Sequence, residues 1–524
     1  MRGSRWAFVL VLAAACTPSG GTTPTPPPAT GGADTGEQAA GPKREPLGET
    51  ALITRESESP VIDFRIVFDA GSAADPDGKE GLTNLTASLM AQGGAGDWSF
   101  AEITEKLYPM AGRIDVHVGR DQTAFVGRVH RDHLEDFYAI LRAMLSDPKL
   151  GEGDYERVKA QVLSALTLEL RGNDDEELGK EALQASMYGD HPYGHPVLGT
   201  ESGLGAIELS DVRDHRERVF CGGRATVGLA GDLPEGFAER VNKGVAELSF
   251  DACQGRMGLP APAEVEAPRV LLVDKPEAKS VAISMGLHTG VTRAHEDYPA
   301  LVLAAAYFGQ HRQFVGRLMQ EMRGERGLNY GDYAYIEHFE QQGWSRFPRA
   351  NISRRQQYFS MWIRPVNVDQ AHFATRMAVR ELHRFVEKGL TPDDFERVRT
   401  FVDRYYALYL QTESRRLGFA IDGRFYGTEE PWLERLRGAW KRMTVEDVNA
   451  AIRRHIDPSG LQIALVHPDA EAFADTLASD EPSPIEYDAE VPDEVLAEDE
   501  EIVGYEIGIP RDRMTITPVS SMFE

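Results

Sequence analysis

The chain contains an internal repeat, and this feature restricts its possible folds more than any other. Residues 62–68 alternate apolar side chains with others and lead to Gly71. Residues 281–287 do the same 219 positions later and lead to Gly290. Alternation with a period of two, ended by a glycine turn, is typical of a half-buried strand. The pattern therefore predicts that one strand–turn unit occurs twice.

The similarity continues along both halves of the chain. Residues 154–159 (DYERVK) are matched by residues 394–399 (DFERVR), and each segment opens an amphipathic helix. Each half later reaches a further apolar strand, at 225–230 and at 461–466. This pattern predicts an α+β fold of two homologous repeats, each an antiparallel sheet flanked by helices, which together enclose a cleft.

The repeat also predicts the domain boundaries, since 524 residues exceed what a single hydrophobic core usually supports. We expect an N-terminal domain at 49–253, a linker with Pro and Gly at 254–268, and a C-terminal domain at 269–480. Residues 481–524 form an acidic tail, interpreted as a solvated linker that leads to a short strand near 502–509.

The N-terminus has the features of an export signal. Two arginines precede a ten-residue apolar stretch, which is too short to span a bilayer. The run that ends at Cys16 resembles a bacterial lipobox, with its large aliphatic residue one position early. This resemblance implies a signal peptide at 1–16 and a lipid-anchored chain in the bacterial cell envelope. Thr17, where Asp would favour the inner membrane, implies the outer membrane and its periplasmic face. The alternative is an ordinary cleaved signal with a chance cysteine.

Composition limits the remaining functional classes. Residues 17–48 are rich in Pro, Gly and Thr and are predicted to be a flexible tether. The formal net charge of -27 repels phosphate backbones and argues against nucleic-acid binding. Cys221 and Cys253 could form a disulfide worth about 3 kcal/mol in an export compartment, or remain two separate buried thiols.

Four segments together resemble the pitrilysin/insulinase (M16-like) metallopeptidase family, over roughly residues 49 to 470. They are 68–72 (FDAGS), 81–85 (GLTNL), 188–196 (YGDHPYGHP) and 323–330 (RGERGLNY). The resemblance implies a helix after Gly81 on which active members carry H-x-x-E-H. In that motif the two histidines bind zinc and the glutamate acts as general base.

In this sequence the three motif positions hold Asn84, Ala87 and Ser88. None supplies an imidazole or a carboxylate, so the positions are degenerate. The family's third ligand is a glutamate on a later helix, where this chain has only apolar and small residues at 162–166 and no carboxylate before Glu169. The spacing of His130, His133 and Glu135 fits no common metal site. Pro192 and Gly194 prevent the helix that would direct His191 and His195 to one ion. We therefore predict no metal site and no catalytic residue of the chain's own.

The resemblance also implies a role for Arg323 and Tyr330, which match the family's arginine/tyrosine motif. In the family these residues bind substrate and stabilise the oxyanion at a zinc site across a cleft. Some bacterial members divide the two functions between two chains. The resemblance thus implies a zinc-less subunit with an M16-type partner that carries the zinc and an extended peptide as substrate. The alternatives are a non-enzymatic scaffold of the same fold and a hydrolase with an unrecognised site.

Overall fold

A computed structural model describes residues 43–310, 315–341, 347–428, 430–487 and 490–524. Cys16, the predicted signal peptide and residues 17–42 of the predicted tether lie outside this part of the chain. The remainder, from Pro42 to Glu524, is one compact unit. Within the described ranges, none of the helices is both long and apolar enough to cross a membrane.

Strands and helices alternate through both halves of the chain. The strands are β1 (Ala51–Glu56), β2 (Val61–Phe68), β3 (Arg113–Val118), β4 (Thr123–His130), β5 (Ala225–Gly231), β6 (Arg269–Asp274), β7 (Val281–His288), β8 (Asp332–Tyr335), β9 (Tyr358–Val366), β10 (Gln462–His467) and β11 (Met514–Pro518). The helices are α1 (Leu82–Gln92), α2 (Phe100–Leu107), α3 (Leu134–Ser146), α4 (Glu152–Ser164), α5 (Asp175–Tyr188), α6 (Glu201–Ala206), α7 (Leu209–Val219), α8 (Phe237–Ala246), α9 (Tyr298–Phe308), α10 (Ala371–Lys388), α11 (Pro392–Tyr405), α12 (Glu413–Phe425), α13 (Trp432–Trp440), α14 (Val445–His455), α15 (Ala470–Ser479) and α16 (Asp493–Val503).

The two sheets have the same strand order, which confirms the predicted α+β fold of two repeats. The first sheet runs β1-β5-β2-β4-β3, and the second runs β11-β6-β10-β7-β9-β8. Each strand of the first sheet has its counterpart in the second, and β11 is an addition. The sheets are mixed and not wholly antiparallel as predicted, because β1 pairs with β5, and β6 with both β10 and β11, in parallel.

Strand β2 coincides with the predicted strand but is buried on both faces. Ile62, Phe64 and Phe68 are inaccessible to solvent, as the alternation predicted. Arg65, on the opposite face, is only 4% exposed. Its guanidinium donates to the Asn351 side chain at 2.8 Å and to the Ser414 carbonyl at 3.3 Å. Both partners belong to the second half, which therefore covers the face expected to be solvated.

The two halves exchange one helix each. Helix α5 of the first half packs on β7 and β10 of the second sheet, and α12 of the second half packs on β1 and β5 of the first. A β-carbon on Gly228 of β5 would collide with Ile421 of α12, so glycine permits this close approach. The halves thus meet through crossed helices.

The acidic tail is ordered differently from the prediction. Helix α16 covers Asp493–Val503, and the final strand is β11. The prediction of a strand near 502–509 is therefore wrong. Val495, Asp499 and Ile502 are buried at helical spacing, although acidic residues surround them in sequence. The apolar positions were too few in this acidic run to show helical periodicity from sequence.

Candidate functional site

Helix α1 contains the degenerate zinc-motif positions. It begins after Gly81, whose φ of 100° lies in the left-handed region that favours glycine. The carboxylate of Asp75 accepts hydrogen bonds from the backbone N–H groups of Gly81 at 2.8 Å and of Thr83 at 2.7 Å. These bonds satisfy donors at the helix start that have no partner within the helix. The helix is therefore firmly positioned, although its motif is degenerate.

The three motif side chains offer little to a metal ion. Ala87 is fully buried, Ser88 is 9% exposed and Asn84 is half-buried. Helix α4 packs beside α1, and its chain continues as a π-helical segment at Ala165–Asn173. Leu166 of that segment is buried, and Glu169 points to solvent. An amide, a methyl and a hydroxyl replace the imidazoles and carboxylate that zinc catalysis needs.

A buried polar chain supports the base of α1, and sequence reasoning missed it. The Thr83 hydroxyl donates to Asp75 at 2.5 Å, and its oxygen lies 2.8 Å from Nε2 of His215 on α7. Burial lowers the pKa of His215 to about 3 and raises the pKa of Asp75. Since Thr83 and His215 are both inaccessible to solvent, no substrate reaches them. This network is a structural support for α1 and not a hydrolase centre.

The structure brings Arg323 and Tyr330 together. Arg323 ends a π-helical segment, Met319–Gly324, and its guanidinium carbon lies 4.6 Å from the centroid of the Tyr330 ring. Tyr330 is 71% exposed, so the ring and hydroxyl face outward at the edge strand β8. The guanidinium of Arg364 also lies 5.9 Å from the same ring. The pair forms a cationic and hydroxylic surface at one end of the second sheet.

The turn that carries Tyr330 is held by buried polar contacts. The Asn329 side chain donates to Asp332 at 2.6 Å and to the Arg364 carbonyl at 3.0 Å, and accepts from the Gly331 N–H at 2.9 Å. Burial raises the pKa of Asp332 to about 8. Every atom of the Asn329 amide group thus has a partner, which fixes the turn relative to β8 and β9.

Helix α16 supports the same segment from the other side. The Arg326 side chain is fully buried and donates to Asp499 at 2.8 Å and to Glu498 at 2.9 Å. Glu321 accepts from the same guanidinium at 3.4 Å, and burial raises the pKa of Glu321 to about 7. The acidic tail therefore packs against the Arg323/Tyr330 segment and is not a solvated linker.

Comparison with known proteins agrees with this arrangement. A family model described as insulinase (peptidase family M16) matches residues 51–201, and one described as peptidase M16 inactive domain matches residues 206–402. The chain belongs to the M16 peptidase family. Asn84, Ala87 and Ser88, which we predicted to hold the degenerate zinc motif, lie within the first of these matches.

Two similar proteins carry names that differ in the activity they imply. A Helicobacter pylori protein called "Non-peptidase homolog YmxG" is 22% identical over 78% of this chain and 89% of its own length. A Bacillus subtilis protein called "Uncharacterized zinc protease YmxG" is 25% identical over 47% of this chain and 58% of its own. The crystal structure of an M16 inactive domain from Pseudomonas fluorescens superposes with a TM-score of 0.68 at 20% identity. It covers 82% of this chain and 98% of that one, and the likeness establishes the fold.

The other histidine sets contact backbone or solvent-exposed partners. His191 accepts from the Tyr193 N–H at 3.0 Å and contacts the Pro260 carbonyl at 3.1 Å, while His195 lies 2.9 Å from its neighbour's carbonyl. His130 is exposed, and Glu135 pairs with an arginine of α8. None of these residues belongs to either group of three potential metal ligands that the described part of this M16 chain contains.

Those two groups lie away from α1. One is His295, Asp297 and His455, where Asp297 accepts at 2.7 Å from His455 and also pairs with Arg454. The other is made of Glu321, Glu325 and Glu498 around Arg326. In both groups an arginine already neutralises the carboxylates, which weakens their attraction for a cation.

The remaining cysteines form a disulfide in the structure. Cys221 follows α7 and Cys253 precedes the linker, and the bond joins them across 32 positions of sequence. It connects the end of the first repeat to the segment that leads into the second. Both cysteines lie in the first half, so the bond fixes the end of that half beside α7.

Proposed function

We propose that this chain is the zinc-less subunit of a heteromeric M16-type peptidase, in which a partner chain carries the zinc. The observation that carries this proposal is the contrast between two sites on one chain. Helix α1 lacks all three motif side chains, whereas Arg323 and Tyr330 are paired, with Arg323 half-buried and Tyr330 exposed. The name of the Helicobacter pylori relative, a non-peptidase homologue, supports the absence of independent activity.

In the proposed complex the Arg323/Tyr330 pair acts on the peptide held at the partner's zinc site. The guanidinium holds a peptide carbonyl or carboxylate, and the tyrosine hydroxyl donates to the oxyanion of the tetrahedral intermediate. Because the halves of this chain meet through α5 and α12, the substrate cleft lies between the two subunits. An extended peptide there adds to a sheet edge and leaves its side chains free for recognition.

The proposed location follows from the sequence of the N-terminus. Lipidation at Cys16, followed by the tether, would hold the peptidase complex at a bacterial membrane, the outer one if Thr17 has the implied effect. Cys16→Ser should then move the chain from the membrane fraction to the soluble fraction. A variant that stays in the membrane fraction contradicts the anchor.

The proposal is tested by recovering the complex and changing the pair. Tagged chain is extracted from membranes in mild detergent, and co-purifying proteins are identified by mass spectrometry. We expect an M16 chain with intact H-x-x-E-H. Removing one oxyanion donor typically costs about 3 kcal/mol, so Tyr330→Phe should lower kcat of the complex about 100-fold on a quenched fluorescent peptide. Arg323→Ala should lower kcat/KM to a similar degree.

Two control variants separate this effect from general damage. Tyr108→Phe removes a hydroxyl from a tyrosine that is 87% exposed. Arg399→Ala removes a guanidinium that lies 5.2 Å from the Phe395 ring on α11. Both should leave activity within about twofold, because surface substitutions away from special contacts change little. Equal losses in the controls and in the pair would refute the assigned roles.

A non-enzymatic scaffold is the second candidate function. The degenerate motif positions on α1 support it equally. It predicts that a complex, if one forms, keeps its activity when Arg323 or Tyr330 is replaced. The same experiment therefore separates the two functions.

A further inference from the structure

A cavity of about 250 Å³ lies where the N-terminal segment, the end of α7 and the linker meet. Its lining is rich in arginine: Arg44, Arg120, Arg218, Arg224, Arg256 and Arg355. The chain as a whole has a formal charge of -27. Six guanidinium groups around one cavity are therefore a local concentration of positive charge, which four aspartates of the lining partly offset.

Three of these arginines have carboxylate partners. Arg355 pairs with Asp121 at 2.7 Å, Arg120 with Glu181 at 2.8 Å and Arg256 with Glu45 at 2.9 Å. Their positive charges are largely compensated by the protein. One nitrogen of Arg256, Nη1, is nevertheless buried without a hydrogen-bond acceptor.

The other three arginines form no ion pair within the described part of the chain. Arg44 donates to the Gly255 carbonyl at 3.2 Å, and Arg224 donates to the Asp69 carbonyl at 3.0 Å. The half-buried Arg218 side chain has no acceptor among the described residues. Carbonyl groups satisfy donors but do not cancel the charge, so these three guanidinium groups lack a carboxylate at ion-pair distance in the ranges that the structure describes.

The four aspartates of the lining each have contacts or positions of their own, away from Arg44 and Arg218. Asp75 is committed to the start of α1, and Asp121 accepts from Arg355 and from Tyr193. Asp77 is exposed at the rim. Burial raises the pKa of Asp69, against the opposing effect of Arg256, and its carboxylate accepts from the Gln122 side chain at 3.2 Å.

The arginines also repel one another. Burial lowers the pKa of Arg224 to about 10, and the positive charges of Arg256, Arg355 and Arg44 act in the same direction, whereas the carboxylate of Asp69 opposes them. A buried group of like charges is costly unless an opposite charge joins it. An anion in the cavity would relieve this repulsion.

The arginine-bearing segments are already held in place. Arg218 and Arg224 flank Cys221, and Arg256 follows Cys253, so the disulfide joins the two segments directly. The N-terminal segment adds backbone hydrogen bonds, from Glu45 to the Arg256 carbonyl at 2.8 Å and from Gly48 to the Gly223 carbonyl at 3.0 Å. A site that is organised before binding loses less entropy when it binds.

We propose that this cavity binds a small oxyanion, a molecule with a carboxylate or phosphate group, through Arg44, Arg218 and Arg224. Guanidinium forks match the paired oxygens of both groups, and charge-assisted hydrogen bonds are the stronger kind. The proposal is independent of the zinc-less subunit role, because the cavity includes neither α1 nor the Arg323/Tyr330 pair.

The test is isothermal titration of the full chain with inorganic phosphate, citrate and acetate, at constant ionic strength set by chloride. We expect saturable one-site binding of at least one of these probes. Arg218→Gln and Arg44→Gln should each weaken it about 10- to 100-fold, as expected for loss of one charge-assisted contact. Both positions are partly accessible, so neither change removes a core side chain.

Arg213→Gln is the matched control, since Arg213 lies on the same helix, is exposed and does not line the cavity. It should bind the probe with unchanged affinity. Absence of saturable binding by all three probes overturns the proposal. Equal binding by Arg218→Gln, Arg44→Gln and the wild type also overturns it, because the anion would then sit elsewhere.

Discussion

At the residue scale, the most informative positions are those that lack the side chains needed for zinc catalysis. Asn84, Ala87 and Ser88 could be recognised from sequence because they follow a short motif, Gly81 to Thr83, that places them in register. His215 could not be recognised, since its partner Thr83 lies 132 positions away. Nothing in the local sequence of α7 distinguishes a buried histidine from a surface one. Roles set by a local motif were predictable, and roles set by distant packing were not.

The burial of His215 predicts how the free energy of unfolding changes at acidic pH. Its pKa is about 3 in the folded chain, against about 6.5 in an unfolded one. Between these values the unfolded state binds one more proton, so this group lowers the free energy of unfolding as the pH falls. His215→Gln keeps a hydrogen-bond donor and removes the titration. It should reduce the loss of stability between pH 6 and pH 4 by about 1.4 kcal/mol per pH unit.

Urea unfolding at a series of pH values measures this slope. His130→Gln, at an exposed position, is the control and should keep the wild-type slope. If His215→Gln follows the wild-type curve across the whole range, His215 is not the buried neutral group described here.

At the element scale, the predicted strands β2, β5, β7 and β10 were confirmed because alternation with a period of two is a strong signal. Helix α16 was missed because its acidic residues suggested solvent. Those acidic residues face arginines of α10 and of the Arg323/Tyr330 segment, for example Glu498 with Arg384. A run of acidic residues in the sequence does not show whether the fold places basic residues beside it.

Substitution of Arg326 tests whether α16 stabilises the Arg323/Tyr330 segment. Its buried guanidinium contacts Asp499 and Glu498, and removal of one partner from a buried ion pair typically costs 3–5 kcal/mol. Arg326→Met should therefore lower the free energy of unfolding by about 3 kcal/mol and increase hydrogen exchange in 493–503. Arg511→Met is the control, because Arg511 also joins two carboxylates but in an exposed setting. It should cost less than about 1 kcal/mol. Equal effects of the two changes would contradict the support by α16.

At the scale of the whole molecule, the repeat predicted two copies but not how they meet. The crossing of α5 and α12 depends on contacts between residues far apart in the sequence, such as Met187 and Gly286, which no local pattern encodes. It also explains why β2 is buried on both faces. In the proposed complex, this crossing is the reason why we assign the substrate cleft to the contact between subunits.

The crossed helices predict that both halves unfold together. Leu183 of α5 is 1% exposed and packs on the second sheet, so Leu183→Ala should cost 2–5 kcal/mol. Since α5 belongs to one half and covers the other, calorimetry should show one transition that moves to lower temperature as a whole. Two separate transitions, with only one displaced by the substitution, would contradict the exchange of helices.

The central claim is that α1 cannot hold the catalytic zinc. The most direct measurement is the amount of zinc bound per chain after equilibrium dialysis of the purified single chain. The chain carries His455→Ala, which removes a ligand from the possible metal group of His295, Asp297 and His455. We expect far less than one equivalent and no chelator-sensitive peptide cleavage. One tightly bound zinc that is lost on Asn84→Ala or Ser88→Ala would contradict the claim.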